Sequence, residues 1–274
     1  MIRLLSILTV LGFIGWLSLD RIEALVIYPF DGTDVAPTDV GLPGVTARAF
    51  DTGGDTGGET LVVWTAPPKP GKPVVFYLHG NAGNLANRAG RFRHFLARGY
   101  GLVAMAYRGS SGSSGTPTQA GITADVRALW AALHHFIPNG APVVIYGESL
   151  GTGVATVALI NSAVTKSRPP AALILESPYT SIFDVGRALY PTLAPYFPDL
   201  SSPWNSLAAA PAITLPLLVL HGTQDEMIPQ AQGRAIFDAA LSTDKQFLAV
   251  QGAGHTTLWR SDTLPALWRF IDRF

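Results

Sequence analysis

Seven short apolar runs recur along this 274-residue chain, and none alternates with polar residues. They are Leu61–Trp64, Val74–Leu78, Leu102–Ala106, Val143–Tyr146, Leu173–Leu175, Leu217–Leu220 and Phe247–Val250. A strand with one wet face alternates apolar and polar residues; one buried on both faces does not. Between the runs lie helical patterns. Arg88–Ala97 is stopped by Gly99, and Thr118–Phe136 carries Ile122, Val126, Leu129, Trp130 and Leu133 on one face before Pro138 and Gly140. Leu150–Asn161 is a helix of small residues, Gln230–Leu241 is another, and a last helix closes the chain. Strands alternating with helices predict an α/β domain with a mostly parallel central sheet and helices on both faces. Ligands of such sheets sit beyond the carboxyl ends of the strands.

Composition narrows the function classes. Charged residues are 14% of the chain, against about 25% in ordinary globular domains, which excludes disorder as the main state. Lys+Arg and Asp+Glu are both 19, for a net charge of zero. Nucleic-acid binding, which draws on a basic excess, is set aside. No cysteine is present, so disulfide frameworks, thiolate zinc sites and cysteine nucleophiles are excluded.

After Arg3, residues Leu4–Leu19 carry no charge, and Asp20, Arg21 and Glu23 close the run. As a helix it would span about 24 Å, short of the roughly 30 Å hydrocarbon core of a bilayer. Leu17-Ser18-Leu19 and Ala24 make a poor cleavage site. Residues 1–20 are therefore expected to be an uncleaved signal anchor, a single-pass N-terminal transmembrane segment. A cleaved signal and a buried core helix are the competing readings. With the positive charge ahead of the run, residues 21–274 are expected on the non-cytoplasmic side. The duplicated Asp-Thr-Gly-Gly of residues 51–58 reads as a hairpin loop. As a metal loop it would have only Asp51, Asp55 and Glu59 to offer.

Gly147-Glu148-Ser149-Leu150-Gly151 follows a buried strand and opens a helix. This is the context of a Gly-x-Ser-x-Gly nucleophile elbow, where the turn residue is strained and its side chain projects. His79-Gly80-Asn81-Ala82-Gly83-Asn84 follows another strand, so its loop should sit beside the elbow. The backbone N–H groups of Asn81 and Leu150 are the expected oxyanion donors. His79 is expected to be a structural, hydrogen-bonding histidine. Asp225, in the loop after Leu217–Leu220, is the candidate acid, with Glu226 as its competitor. Of six histidines, only His255 stands alone on a loop after the last strand, which makes it the candidate base. The order Ser149, Asp225, His255 is that of α/β hydrolases. Arg108 reads either as a clamp for a substrate carboxylate or, preferentially, as a structural arginine bonding loop carbonyls. The glycine/serine run after it lacks the lysine of a phosphate loop.

From about residue 60 to 270 the chain resembles the α/β-hydrolase superfamily. The resemblance rests on Phe76–Asn84, Ala106-Tyr107-Arg108-Gly109, Gly115-Thr116-Pro117-Thr118 and Glu176-Ser177-Pro178-Tyr179-Thr180-Ser181. Together these resemble the membrane-anchored serine hydrolases of the ABHD type, the branch that includes protein depalmitoylases. The resemblance implies the α/β-hydrolase fold, the triad Ser149, Asp225 and His255, and oxyanion donors at Asn81 and Leu150. Ser110-Ser111-Gly112-Ser113-Ser114 departs from relatives, which more often carry a bulky or charged residue there; this loop is expected to edge the pocket. Residues 178–212, rich in proline, are the expected short cap. Phe183, Tyr190, Tyr196, Phe197 and Trp204 supply either a small core of its own or an apolar acyl pocket.

The expected activity is serine hydrolysis of a carboxylic ester or thioester through an acyl-enzyme, with no metal or organic cofactor. The substrate expected is a lipid-like or acylated small molecule, with an acylated protein as the deacylase variant. Amide or peptide hydrolysis by the same triad and a non-catalytic, membrane-tethered binding protein are the alternatives. Epoxide and haloalkane hydrolysis would need a carboxylate where Ser149 stands.

Overall fold

The computed structural model describes residues 23–53, 58–160, 162–197 and 199–274. The expected anchor, residues 1–20, lies outside them. Among the described residues no helix is long and apolar enough to cross a membrane.

Eight strands form one sheet. They are β1 (Thr46–Asp51), β2 (Thr60–Ala66), β3 (Val74–Leu78), β4 (Gly101–Met105), β5 (Val143–Glu148), β6 (Ala172–Glu176), β7 (Leu217–Gly222) and β8 (Lys245–Val250). Their order is β1-β2-β4-β3-β5-β6-β7-β8. β1 with β2 and β2 with β4 are antiparallel; every other pair is parallel. All residues of β3, β4, β6 and β7 are buried. Their apolar side chains therefore divide by parity between two cores. Val74, Phe76 and Leu78 face one, together with Ile122, Val126 and Trp130 of α2 (Gln119–Ala131). Val75 and Tyr77 face the other, with Phe92 and Phe95 of α1 (Ala89–Ala97) and Leu267 and Phe270 near the C-terminus. Truncating a side chain such as Phe76 to alanine would cost about 3–5 kcal/mol.

Three elements differ from the sequence expectation. β1 carries no apolar pattern, because five of its six residues are exposed; it is a strand by virtue of pairing with β2 across the glycine-rich loop. Residues Leu150–Asn161 were expected as one helix. α3 spans only Leu150–Gly153, and Val154–Leu159 is wound as a π-helix. The Thr156 hydroxyl donates to the Thr152 carbonyl at 2.8 Å, and such a side chain competing for a helical carbonyl loosens the winding. Asn161 lies outside the described residues. A further short helix, α4 (Ala163–Ser167), precedes β6.

Residues 178–212 fold into α5 (Ile182–Leu189), a 3₁₀ turn at Ala194–Tyr196, α6 (Ser206–Ala209) and a second 3₁₀ turn at Ala210–Ala212. Phe183 and Phe197 meet edge to face at 6.0 Å, a contact within the segment, although no residue of α5 is buried. Trp204 does not belong to a pocket. It is fully buried in the main core, and its indole N–H donates to the Tyr28 hydroxyl at 2.8 Å. Tyr190 is 56% exposed.

Candidate active site

The parallel strands end along one rim. β5 stops at Glu148, and Ser149 turns the chain into α3 with φ 49° and ψ −113°. This left-handed backbone is disfavoured for any residue but glycine, and surrounding close contacts hold it. A Cβ on Gly147 would come within 2.6 Å of the Gly151 carbonyl, and one on Gly151 would overlap the Leu78 carbonyl. The Ser149 N–H donates to the Glu176 carbonyl at 2.9 Å, which ties the turn to β6. Leu150 follows as the first helical residue, where a backbone N–H has no intrahelical acceptor.

The three sequence-predicted residues meet here. His255 Nε2 lies 3.0 Å from Ser149 Oγ, and His255 Nδ1 lies 2.9 Å from Asp225 Oδ2. Asp225 Oδ1 in turn accepts the N–H groups of Met227 at 3.0 Å and Ile228 at 2.8 Å. A carboxylate only accepts, so His255 Nδ1 carries the proton and Nε2 presents a lone pair to the serine. Burial alone would favour the neutral carboxyl of Asp225. The hydrogen bonds from His221, His255 and the loop backbone outweigh it and hold Asp225 far below the usual carboxylate range. Burial also opposes the charged form of His255, yet the Asp225 carboxylate prevails and raises the imidazole pKa above 6.5. Glu226 makes neither contact.

His221 is a partner that sequence reasoning missed. It is fully buried at the end of β7. Its Nε2 donates to the Ile228 carbonyl at 2.9 Å and stands 3.4 Å from Asp225 Oδ2. Asp225 thus lies between two imidazoles.

The loop carrying Asn81 is pinned on all sides. The His79 imidazole donates from Nδ1 to the Gly80 carbonyl at 2.7 Å and meets the Tyr107 N–H at 3.5 Å. Burial and the nearby Arg88 push its pKa down to about 3, so the ring stays neutral as a structural element. Arg88 donates to the carbonyls of Ala82 at 2.5 Å and Asn84 at 3.2 Å. Asn84 and Asn87 close a reciprocal cap. Asn81 itself is half-buried.

The serine-rich loop does not edge the pocket. Ser110, Ser111 and Ser113 are buried. Ser111 Oγ accepts the Leu85 N–H at 3.0 Å, and Ser113 Oγ accepts that of Val62 at 2.9 Å, stapling the Asn81 loop to β2. Arg108 is structural, but its partner is a carboxylate rather than loop carbonyls. Its guanidinium forks onto Asp125 at 2.6 and 2.7 Å, because Asp125 is fully buried on α2 and needs a counter-charge. Of the candidate metal loop, Asp51 accepts the Gly53 N–H at 2.9 Å and Glu59 accepts the Ser114 hydroxyl at 2.5 Å. Asp55 lies outside the described residues.

Beneath the elbow sits a four-charge cluster that sequence reasoning missed. Glu148 and Glu176 are register partners on β5 and β6. Glu148 accepts from Tyr77 at 2.6 Å and from Arg88 at 3.2 and 3.3 Å. Glu176 accepts from both terminal guanidinium nitrogens of Arg91 at 2.5 and 2.8 Å, from the Tyr146 hydroxyl, and from the Trp259 N–H at 3.0 Å. Burial would raise the Glu148 pKa; Arg91 and Arg88 outweigh it and keep the side chain ionised. The available signal was the spacing of Arg88 and Arg91, three residues apart and so neighbours on one helical face.

The model of the serine aminopeptidase S33 family, Hydrolase_4, matches residues 69–209 and 204–262. Lysophosphatidylserine lipase ABHD12 of Danio rerio is 32% identical over 218 residues, covering 70% of this chain and 56% of that protein. The chain thus spans little more than half the length of that relative. An uncharacterized protein of Mycobacterium tuberculosis is 33% identical over 202 residues, covering 72% of this chain and 69% of that one. Among solved structures, the Pyrococcus furiosus esterase Pf2001 superposes with a TM-score of 0.70 at 18% identity, covering 90% of this chain and 96% of that one; at that identity the likeness concerns the fold. The eight-stranded sheet and the family match lead to one conclusion: the chain belongs to the serine aminopeptidase S33 family and is an ABHD-type α/β hydrolase.

Proposed function

We propose that this protein is a serine esterase acting on a lipid-like acyl substrate, with Ser149 as nucleophile, His255 as base and Asp225 as the carboxylate that orients it. The observation that carries this reading is the unbroken hydrogen-bonded line from Asp225 through His255 to Ser149. Ser149 Oγ attacks the acyl carbonyl as His255 Nε2 takes its proton. The N–H groups of Asn81 and Leu150 receive the oxyanion, and the protonated imidazole returns its proton to the leaving group. The leaving group is an alcohol or a thiol. Water then releases the acid from Ser149.

The lipid-like character of the substrate is supported by the name of the Danio rerio relative, a lysophosphatidylserine lipase. It is supported too by α5, none of whose residues is buried and which ends on the exposed Leu189, and by the exposed Tyr190 and Leu193 just after it. A cap at residues 178–212 and an anchor at 1–20 that holds the enzyme at a membrane belong to the same proposal. Aminopeptidase activity, which the family's name describes, would call for a carboxylate free to bind a substrate amine. Glu148 and Glu176 beside the elbow are instead committed to Arg88 and Arg91.

Turnover of a p-nitrophenyl ester by Ser149→Ala tests the reading. The expected outcome is loss of activity together with loss of fluorophosphonate labelling. Undiminished turnover would refute it, and a wild-type protein that never labels would favour an idle, binding-only fold. A chain-length series of oxoesters and thioesters then defines the acyl group.

A further inference from the structure

A cavity of about 20 Å³ opens beside the elbow, lined by Ser149, His255, Ser177, Thr256, Arg91, Glu148 and Glu176. That is room for one water molecule. The charged side chains around it are already engaged, Glu148 with Arg88 and Tyr77, and Arg91 with Glu176. Ser177 is not engaged. It is 1% exposed, and among the described residues its hydroxyl has no hydrogen-bond partner. A buried hydroxyl without a partner is costly to keep.

Its backbone is equally unusual. Ser177 has φ 49°, the same as Ser149. The two residues end adjacent parallel strands immediately after the paired Glu148 and Glu176. Each is held by the next strand in the same way: Ser149 N–H donates to the Glu176 carbonyl at 2.9 Å, and Ser177 N–H to the Leu220 carbonyl at 2.8 Å. The fold thus places a serine of positive φ at the end of each of two adjacent strands, side by side. The first projects the nucleophile. The second brings an uncommitted hydroxyl to the same cavity.

We propose that this cavity seats the water that hydrolyses the acyl-enzyme and that the Ser177 hydroxyl holds it there. The proposal rests on Ser149 and His255 acting as described above. Once Ser149 Oγ is acylated it no longer donates to His255, so Nε2 is free to accept a proton from the seated water. The water oxygen bonds to the acyl carbon as its proton passes to Nε2. The carbon–Oγ bond then breaks, Nε2 returns the proton to Ser149 Oγ, and a carboxylic acid leaves. The Ser177 hydroxyl stays intact; it fixes the position of the water oxygen and lends no proton to the products.

The test compares wild type with Ser177→Ala and Ser177→Gly. Both variants remove the hydroxyl. Glycine relaxes the left-handed turn and alanine does not, so a defect common to both reports the hydroxyl rather than the backbone. With a p-nitrophenyl ester and added methanol, the acyl group partitions between free acid and methyl ester. The cavity fits water and is tight for methanol; without the hydroxyl, water loses its anchor and methanol gains space. The methyl ester to acid ratio should rise about threefold to tenfold, the worth of one hydrogen bond. Fluorophosphonate labelling of Ser149 should keep its wild-type rate, because acylation does not use the seated water. An unchanged ratio in both variants overturns the proposal, as does a loss of labelling in both, which would make Ser177 structural. Ser149→Ala reads the underlying assignment separately: if that variant still forms both products, the nucleophile is wrong and the water site falls with it.

Discussion

Asp225→Asn separates the orienting role of the carboxylate from its place in the fold. The new amide has two orientations, and the structure penalises each differently. With its oxygen at the Oδ1 position it keeps the N–H bonds of Met227 and Ile228. Its NH₂ then faces His255 Nδ1, which must become the acceptor, so the proton moves to Nε2 and points at Ser149. The base is then blocked. In the flipped orientation the tautomer of His255 is right, but the NH₂ confronts two backbone N–H groups. Leaving those two donors unpaired costs about 1–3 kcal/mol each, together about 2–6 kcal/mol. The first orientation therefore dominates, and kcat/KM should fall on the order of 10⁴-fold, equivalent to about 5.5 kcal/mol of transition-state stabilisation. The loop bonds survive, and His221 loses its 3.4 Å contact at Oδ2 but keeps its bond to the Ile228 carbonyl, so Tm should stay within a few degrees. Steady-state kinetics with a p-nitrophenyl ester and differential scanning calorimetry on the same preparation read both numbers. A variant that keeps a tenth of wild-type activity, or loses activity only because it unfolds, would refute this account of the tautomer.

The pH profile follows from the same contacts. In the proposed mechanism His255 must be neutral to accept the serine proton, and its pKa is raised by Asp225, with Glu176 and Glu148 adding to the effect. The rate should fall as pH drops through that raised value, so the acid limb of kcat/KM should have its midpoint above 6.5; a midpoint below 6.5 would contradict the geometry. Arg91→Met should strand the Glu176 carboxylate, whose side chain is only 2% exposed. Breaking such a pair costs about 3–5 kcal/mol, or about 6–20 °C in Tm. Adding Glu176→Gln should recover part of the loss, and calorimetry that finds the double variant less stable than the single would refute the pairing argument.

What was legible in the sequence was what burial writes locally. The strands Val74–Leu78 and Leu217–Leu220 stand out because both faces are covered, and the helix Gln119–Ala131 because its apolar residues recur on one side. Ser149, Asp225 and His255 were singled out because each follows its own strand in the expected chain order, and the structure brings them within hydrogen-bond distance. Long-range relations stayed hidden. The partners of Glu148 and Glu176 lie 60 and 85 residues away, and nothing near Arg108 singles out Asp125 as its counter-ion. Trp204 looked like pocket material because aromatic residues surround it in the chain. Its burial is decided by Tyr28, 176 residues earlier. β1 could not be seen because an exposed edge strand carries no hydrophobic signature.

The pair Tyr28 and Trp204 ties residues 178–212 to the beginning of the described chain. The Glu23 carboxylate accepts from the backbone of Ser201 and Ser202 at 2.9 and 2.7 Å and from the Ser201 hydroxyl at 2.9 Å. Five residues later Tyr28 caps the indole of Trp204. The stretch from 23 to 28 is thus a brace rather than a tether. Force or displacement arriving from the residues before it would reach Ser201–Trp204, and through Trp204 the main core, at once. Trimming the chain beyond Tyr28 would leave a buried tryptophan nitrogen without its acceptor and loosen the segment that Trp204 anchors to the core.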